Sequence, residues 1–158
     1  MSAHSNTPPM PGLFIIAHSP LASALRDTAM HAFPEAAQAI AVYDVPPGAS
    51  AEVYEAEAAA RLAALGTAET LILTDVFGAT PCNIAKHLAE RPGVRVVAGV
   101  NVPMIWRALN YRQKPLDEMV TLAVAGASQG VMTVSVSPPQ NQAQKPASHD
   151  PIDRHHQQ

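Results

Sequence analysis

Leu13-Phe14-Ile15-Ile16 runs without a polar residue into Ala17-His18-Ser19-Pro20. Two of the four apolar residues are β-branched, and nothing polar alternates with them. The run predicts a strand buried on both faces, the kind found in parallel sheets. Ser19-Pro20 ends it, and an alanine- and leucine-rich helical pattern follows, with Ser19 suited to the N-cap and Pro20 to the first helical position. His18 therefore stands at the carboxyl end of the first strand, beside a helix N-terminus. In open α/β sheets that edge is where ligands bind. The same histidine also fits an ordinary βα turn, and this stretch alone does not separate the two readings.

The chain has 158 residues, enough for one domain with a real core and too few for two comfortable ones. Ten Lys and Arg against thirteen Asp and Glu give a net charge of −3, and no basic block appears, which argues against a nucleic-acid or anionic-membrane partner. The single cysteine, Cys82, excludes an internal disulfide framework and offers no metal-site spacing. Apolar runs are strand-sized, too short for a transmembrane helix. Residues 1–11 are rich in Ser, Pro and Asn and lack Lys and Arg, so they read as a disordered lead-in and not as a signal peptide. A cytoplasmic location is the expectation by elimination.

Strand one is expected at about 13–17. Helix one follows with Leu21, Leu25, Thr28 and Ala29 on one face, and Phe33-Pro34 stops it. A second strand covers about 39–43. A strongly helical, alanine-rich segment spans 51–65, with Ser50 as N-cap and Gly66 past its end. Strand three covers 70–75, Phe77-Gly78-Ala79 form a loop, and Thr80-Pro81 open a helix to about Glu90. Strand four is expected at 94–98, a short helix from Asn101-Val102-Pro103 through Leu109, and a last helix from Leu116 to about Ser128. Val131–Ser137 reads as a final β-branched strand, and 138–158, rich in Gln, Pro, His and Asp, as a disordered tail. The domain is thus expected over 12–137.

Strands alternating with helices imply βαβ units and an α/β fold with an open, mostly parallel sheet and helices on both faces. Right-handed crossovers leave few topologies, and the flavodoxin-like order 2-1-3-4 fits the element lengths. Its switch point falls between strands one and three, which end in His18 and Asp75.

His18, Asp75 and the segment Gly78-Ala79-Thr80-Pro81 can therefore converge. A carboxylate accepting the Nδ1–H of an imidazole leaves Nε2 unprotonated and facing outward as a nucleophile. The helix after Thr80 offers free backbone N–H groups and a positive dipole end. Thr80 can cap that helix or donate its hydroxyl to an oxyanion, and Gly78 allows a tight backbone. This set suits a histidine that carries a phosphoryl group, with its strong acceptor oxygens and charge of about −1.5 to −2. Singly, each residue also has a plain structural reading: Asp75 as a strand end, Thr80-Pro81 as a helix start. No Walker A lysine pattern and no GxGxxG is present, so a nucleotide cofactor has no support. His31 and His87 read as surface residues, and His149, His155 and His156 as tail residues. Cys82 reads as a packed residue, and Met104 and Trp106 as core or subunit contact.

Four blocks in order resemble the IIA domain of the mannose-type (mannose/fructose/sorbose) phosphoenolpyruvate-dependent sugar phosphotransferase system. They are Ile15-Ile16-Ala17-His18, Thr74 through Asn83, Val97 through Met104, and Asp117-Glu118 through Gly130-Val131. The resemblance covers roughly 12–137. It implies that His18 is phosphorylated by the carrier protein HPr and passes the group to a IIB component. Asp75 would orient His18. The Thr80 hydroxyl, where the family usually has serine, would stabilise the phosphoryl group, with Ser19, Gly78 and Ala79 completing the loop around it. Ser19-Pro20 replaces the glycine that often follows the family's histidine. The resemblance also implies a homodimer whose last strand, 131–137, can exchange between subunits. No cofactor or metal is implied, and contact with the membrane would come only through partners, here separate proteins. Three alternatives stand beside this reading: a regulatory phosphorylation-state sensor, the phosphoryl-donor subunit of a dihydroxyacetone kinase, and a flavodoxin-like small-molecule binding domain.

Overall fold

The computed structural model describes residues 8–137. The expected tail at 138–158, with His149, His155 and His156, and residues 1–7 of the lead-in lie outside the described residues. The order of elements is β1 (Gly12–His18), α1 (Leu21–Met30), a 3-10 turn (Pro34–Ala39), β2 (Ile40–Val45), α2 (Ala51–Leu65), β3 (Thr70–Thr74), α3 (Thr80–Leu88), β4 (Val94–Ala98), α4 (Val102–Asn110) and α5 (Leu116–Gln129). The four strands form one parallel sheet in the order β2-β1-β3-β4. This is the flavodoxin-like arrangement the sequence pattern predicts.

The unbroken apolar run of β1 explains why it lies at the centre. Leu13 through Ala17 are all fully buried, and alternation sends them to two different cores. Leu13, Ile15 and Ala17 meet α1, α4 and α5 through Ala22, Leu25, Met104, Ile105 and Met119. Phe14 and Ile16 meet α2 and α3 through Tyr54, Ala58, Ile84 and Ala85. Each large apolar side chain so placed contributes about 1.5–3 kcal/mol relative to exposure. His18 follows Phe14 and Ile16 on the α2/α3 side, one residue beyond the buried run.

The cap expected at Ser50 forms, and Asn101 supplies a second one. Ser50 Oγ accepts the Val53 N–H at 3.4 Å at the start of α2, and Asn101 Oδ1 accepts the Met104 N–H at 2.9 Å at the start of α4. Three expectations need correction. Ser19 does not cap α1. The N-cap position is Pro20, which has no side chain to offer, and the carboxylate of Asp44 on β2 takes the role, accepting the Ser23 N–H at 3.0 Å and the Ser23 hydroxyl. The buried face of α1 is Ala22, Leu25 and Ala29, while Leu21 is exposed and Thr28 half-buried. Residues 131–137 form no strand: among the described residues nothing pairs with them, and Val131, Met132, Val134 and Val136 stay exposed. Strand pairing needs an edge running alongside, and among the described residues the segment leaves α5 without meeting one.

Candidate active site

β1 sits between β2 and β3, so its carboxyl end is flanked by the loops that follow both. His18 lies in this crevice, where the connections from neighbouring strands diverge to opposite faces. Its side chain is 55% exposed and that of Asp75 only 9%. Asp75 follows β3 directly, and its Oδ2 accepts the His18 ring Nδ1–H at 2.6 Å and the His18 backbone N–H at 2.9 Å. The other oxygen, Oδ1, accepts the Val76 N–H at 2.9 Å. Burial pushes the Asp75 carboxyl up, but the hydrogen bonds from His18 N–H, the His18 ring and Val76 N–H outweigh it, and the net shift is downward. Asp75 is therefore a carboxylate that can only accept. That assigns the ring proton to Nδ1 and leaves the Nε2 lone pair directed away from Asp75.

A cleft of about 430 Å³ opens beside the ring, lined by His18, Ser19, Thr80, Tyr54 and the loop Pro46-Pro47-Gly48. Tyr54 fixes this loop from beneath. Its hydroxyl donates to the Pro46 carbonyl at 2.5 Å and accepts the Ala49 N–H at 3.0 Å. Ser19 is exposed, with its backbone N–H on the Val45 carbonyl at 3.1 Å. Thr80 is exposed and is the first residue of α3; Ala79 occupies the N-cap position and supplies no side-chain acceptor. Thr80 therefore does not cap the helix, and its hydroxyl faces no capping duty. The N–H groups of Thr80 and Cys82 belong to this uncapped first turn, Pro81 having none. Gly78 has φ +82° with open space around it, a backbone conformation that favours glycine. The geometry thus brings His18, Asp75, Ser19 and Thr80 to one crevice, with Gly78 and Ala79 in the turn that connects two of them.

The remaining chemistry-bearing residues fall elsewhere. Cys82 is buried against the core at 2% exposure. Met104 is core, whereas Trp106 is half-exposed in a separate hollow with Pro103, Arg107 and Gly130. His31 is exposed, and His87 pairs through Nδ1 with Glu55 at the far end of a hollow that shares Tyr54 and Thr80 with the cleft. Among the described residues no cluster of His, Cys, Asp and Glu could hold a metal, and no helix is long and apolar enough to cross a membrane. Tyr54 and Asp44 are the contributors that sequence reasoning misses. Tyr54 looks like any apolar position of an amphipathic helix, and Asp44 like any polar strand end.

Residues 12–124 match the family of PTS system fructose IIA components. The chain is 35% identical over 112 residues to the PTS system mannose-specific EIIAB component of Escherichia coli K12, covering 68% of this chain and 35% of that protein. It thus spans about a third of the length of the curated relatives it matches. The fold superimposes on the mannose/sorbose-specific IIA subunit of the phosphotransferase system from Enterococcus faecalis with a TM-score of 0.74 and 26% identity, covering 82% of this chain and 98% of that one. It also superimposes on phosphotransferase system component EIIA from Streptococcus agalactiae, with a TM-score of 0.67 over 78% of this chain and 97% of that one. At 21% identity that likeness speaks for the fold alone. By its family match, its sequence relatives and the parallel sheet that carries His18, the chain belongs to the fructose IIA component family of the phosphotransferase system.

Proposed function

We propose that the chain is a histidine phosphocarrier: His18 accepts a phosphoryl group from phosphorylated HPr and hands it to a IIB component. The observation that carries the reading is the 2.6 Å hydrogen bond between His18 Nδ1 and Asp75 Oδ2 on an exposed imidazole. It keeps one ring nitrogen protonated and the other nucleophilic. In the forward step the Nε2 lone pair attacks phosphorus as the donor's phosphorus–nitrogen bond breaks, its electron pair returning to the donor ring. The positive charge that develops on the His18 ring is met by the Asp75 carboxylate. The phosphoryl oxygens fall within reach of the Thr80 hydroxyl and the first turn of α3, where the helix dipole favours an anion. Little covalent work is asked of the protein beyond positioning and charge stabilisation.

The carrier domain spans 12–137 in this reading and works in the cytoplasm, where its donor is charged from phosphoenolpyruvate. It pairs as a homodimer through 131–137, whose exposed Val131, Val134 and Val136 support that role. The test is phosphorylation from phosphoenolpyruvate by Enzyme I and HPr. One acid-labile, base-stable phosphate on His18, absent from His18→Ala, is the expected result. No phosphate with a cognate HPr would overturn the reading and favour a ligand-binding module. Transfer onward to a IIB protein separates the carrier from a regulatory sensor or a dihydroxyacetone kinase subunit.

A further inference from the structure

The sheet ends at β2, whose outer edge meets no strand among the described residues. Backbone groups of successive residues in a strand face opposite sides. The Val45 carbonyl faces the β1 side, where it accepts the Ser19 N–H at 3.1 Å, and the Ile40 carbonyl accepts the Arg26 Nε–H at 3.3 Å on the outer side. The N–H and C=O groups of Val42 and Asp44 therefore point outward as well. A hollow of about 390 Å³ lies along this edge, with Ala41, Val42, Arg26, Arg61 and Leu65 in its lining. Arg26 belongs to α1 and also donates to the Ala37 carbonyl at 3.0 Å. Arg61 belongs to α2, on the opposite face of the sheet, with its guanidinium 4.8 Å from the centre of the Tyr43 ring. Two guanidiniums thus flank one open edge, one on each face. Among the described residues neither forms an ion pair. Glu57, one turn before Arg61, makes none with it, and the Asp44 carboxylate is taken up by Ser23. At the other edge of the sheet the corresponding cation is matched: Arg95 of β4 pairs with Asp117 at 2.9 Å.

We propose that the outer edge of β2 is a docking surface for an extended acidic segment of a partner protein, which joins the sheet as an added strand. Val42 and Asp44 supply the backbone hydrogen bonds of such an addition. The arginines supply charge and register. Side chains of an added strand alternate between the two faces, so carboxylates an odd number of positions apart meet Arg26 on one face and Arg61 on the other. A guanidinium binds a carboxylate through charge-assisted hydrogen bonds, stronger than those between neutral groups. A second copy of this chain lacks that chemistry. Its own β2 edge would bring the same two arginines against these, and its exposed run 131–137 has no acidic residue. Charge beside an open edge ordinarily keeps like edges apart. Here the unmatched positive sign also selects the strand that can pair.

The test uses the full chain and a fluorescein-labelled, end-blocked peptide, Thr-Val-Glu-Asp-Val-Thr, with Thr-Val-Gln-Asn-Val-Thr as its uncharged match. Fluorescence anisotropy measures binding at low and high salt. The acidic peptide is expected to bind the wild-type chain and to loosen as salt rises. The uncharged match, and separately Arg61→Gln with the acidic peptide, are each expected to bind more weakly on the order of tenfold. Val42→Pro removes one outward N–H at a position where an edge strand tolerates proline, and is expected to weaken binding to a similar degree. Amide hydrogen exchange at Val42 and Asp44 is expected to slow when the acidic peptide is bound, which charge pairing without strand addition would not cause. Where Val42→Pro does not fold, Arg61→Gln and the exchange rates decide the matter. Equal binding of the two peptides, no binding of either, or an Arg61→Gln chain that binds like wild type overturns the proposal. So does unchanged exchange at Val42 and Asp44. Self-association of the wild-type chain that is lost in Val42→Pro would assign the edge to a second copy and overturn it too.

Discussion

Asp75 holds His18 twice with the same oxygen: Oδ2 accepts the ring Nδ1–H at 2.6 Å and the backbone N–H of the same residue at 2.9 Å. A side chain is thereby fixed relative to its own main chain by a residue 57 positions away in sequence, just past the end of β3. The ring can neither rotate nor exchange tautomer without breaking a bond to a mostly buried carboxylate.

Replacing Asp75 with Asn keeps the shape but introduces an NH₂ donor where the carboxylate only accepts. The amide can turn its NH₂ toward Nδ1 and stabilise the tautomer that protonates Nε2. Phosphorylation of His18 is expected to slow on the order of 10²-fold, with KM for phosphorylated HPr unchanged. Rapid-quench transfer from phosphorylated HPr measures it, and wild-type kinetics in Asp75→Asn would remove the orienting role.

The same pair makes stability depend on pH. Burial raises the Asp75 carboxyl, but the hydrogen bonds from His18 and Val76 prevail and hold it below its ordinary 3.8. A carboxyl depressed in the folded state adds stability that is complete above its unfolded value. That stability is lost as pH falls through the lower folded value. The stability gap between wild type and Asp75→Asn should therefore be constant at neutral pH and shrink below 3.8. Urea unfolding of both chains across that range checks it, and a gap independent of pH would contradict it.

Much of this geometry is legible before any coordinates. The unbroken run from Leu13 to Ile16 requires a strand covered on both faces, and once it is central, parallel order places the ends of β1 and β3 side by side. His18 and Asp75 follow from that. Local signals miss whatever is supplied from across the fold. Ser19 has the right chemistry to cap α1, but Asp44 reaches the first turn from β2, and only tertiary structure brings them together. Tyr54 steadies the Pro46 loop through a hydroxyl that no periodicity reveals. The β-branched pattern of 131–137 encodes strand propensity, but propensity without an adjacent edge among the described residues leaves it unpaired.

Thr80 is the exposed hydroxyl at the first turn of α3 and the one side chain of that turn lining the His18 cleft. Thr80→Val keeps the branched shape and removes the hydroxyl. Transfer to His18 is expected to slow and the phosphohistidine to hydrolyse faster, each on the order of tenfold for one hydrogen bond to a charged group. Thr80→Ser should restore both. Phosphate release from purified phosphoprotein is the measurement, and a Val variant matching wild type in both would exclude Thr80 from the site.

Asp44 accepts the Ser23 N–H at 3.0 Å and the Ser23 hydroxyl, so it serves α1 as a cap supplied from β2. Asp44→Ala should cost about 1–2 kcal/mol, through the lost cap and the lost negative charge at a helix N-terminus. Ser19→Ala, which removes no hydrogen bond of the helix, should stay within about 0.5 kcal/mol. Equilibrium urea unfolding distinguishes the two, and equal effects would show that α1 is not capped from β2.

Gly93 turns the chain into β4 at φ +79°, and a Cβ there would stand 2.6 Å from the Ala68 carbonyl oxygen. Its own carbonyl accepts the Thr70 N–H at 2.8 Å at the start of β3, so the turn cannot shift without disturbing β3. Gly93→Ala therefore suffers both the left-handed backbone cost of about 1–2 kcal/mol and a backbone clash. Gly78, at φ +82° with open space around it, suffers the first alone. Gly93→Ala should lose more stability than Gly78→Ala by a margin visible as a lower urea midpoint at equal slope. Gly78→Ala instead should change His18 phosphorylation more than stability, because its turn carries Asp75 and Thr80. Equal midpoints for the two variants would mean that the Ala68 carbonyl yields freely and that the β3–β4 start is softer than its hydrogen bonding implies.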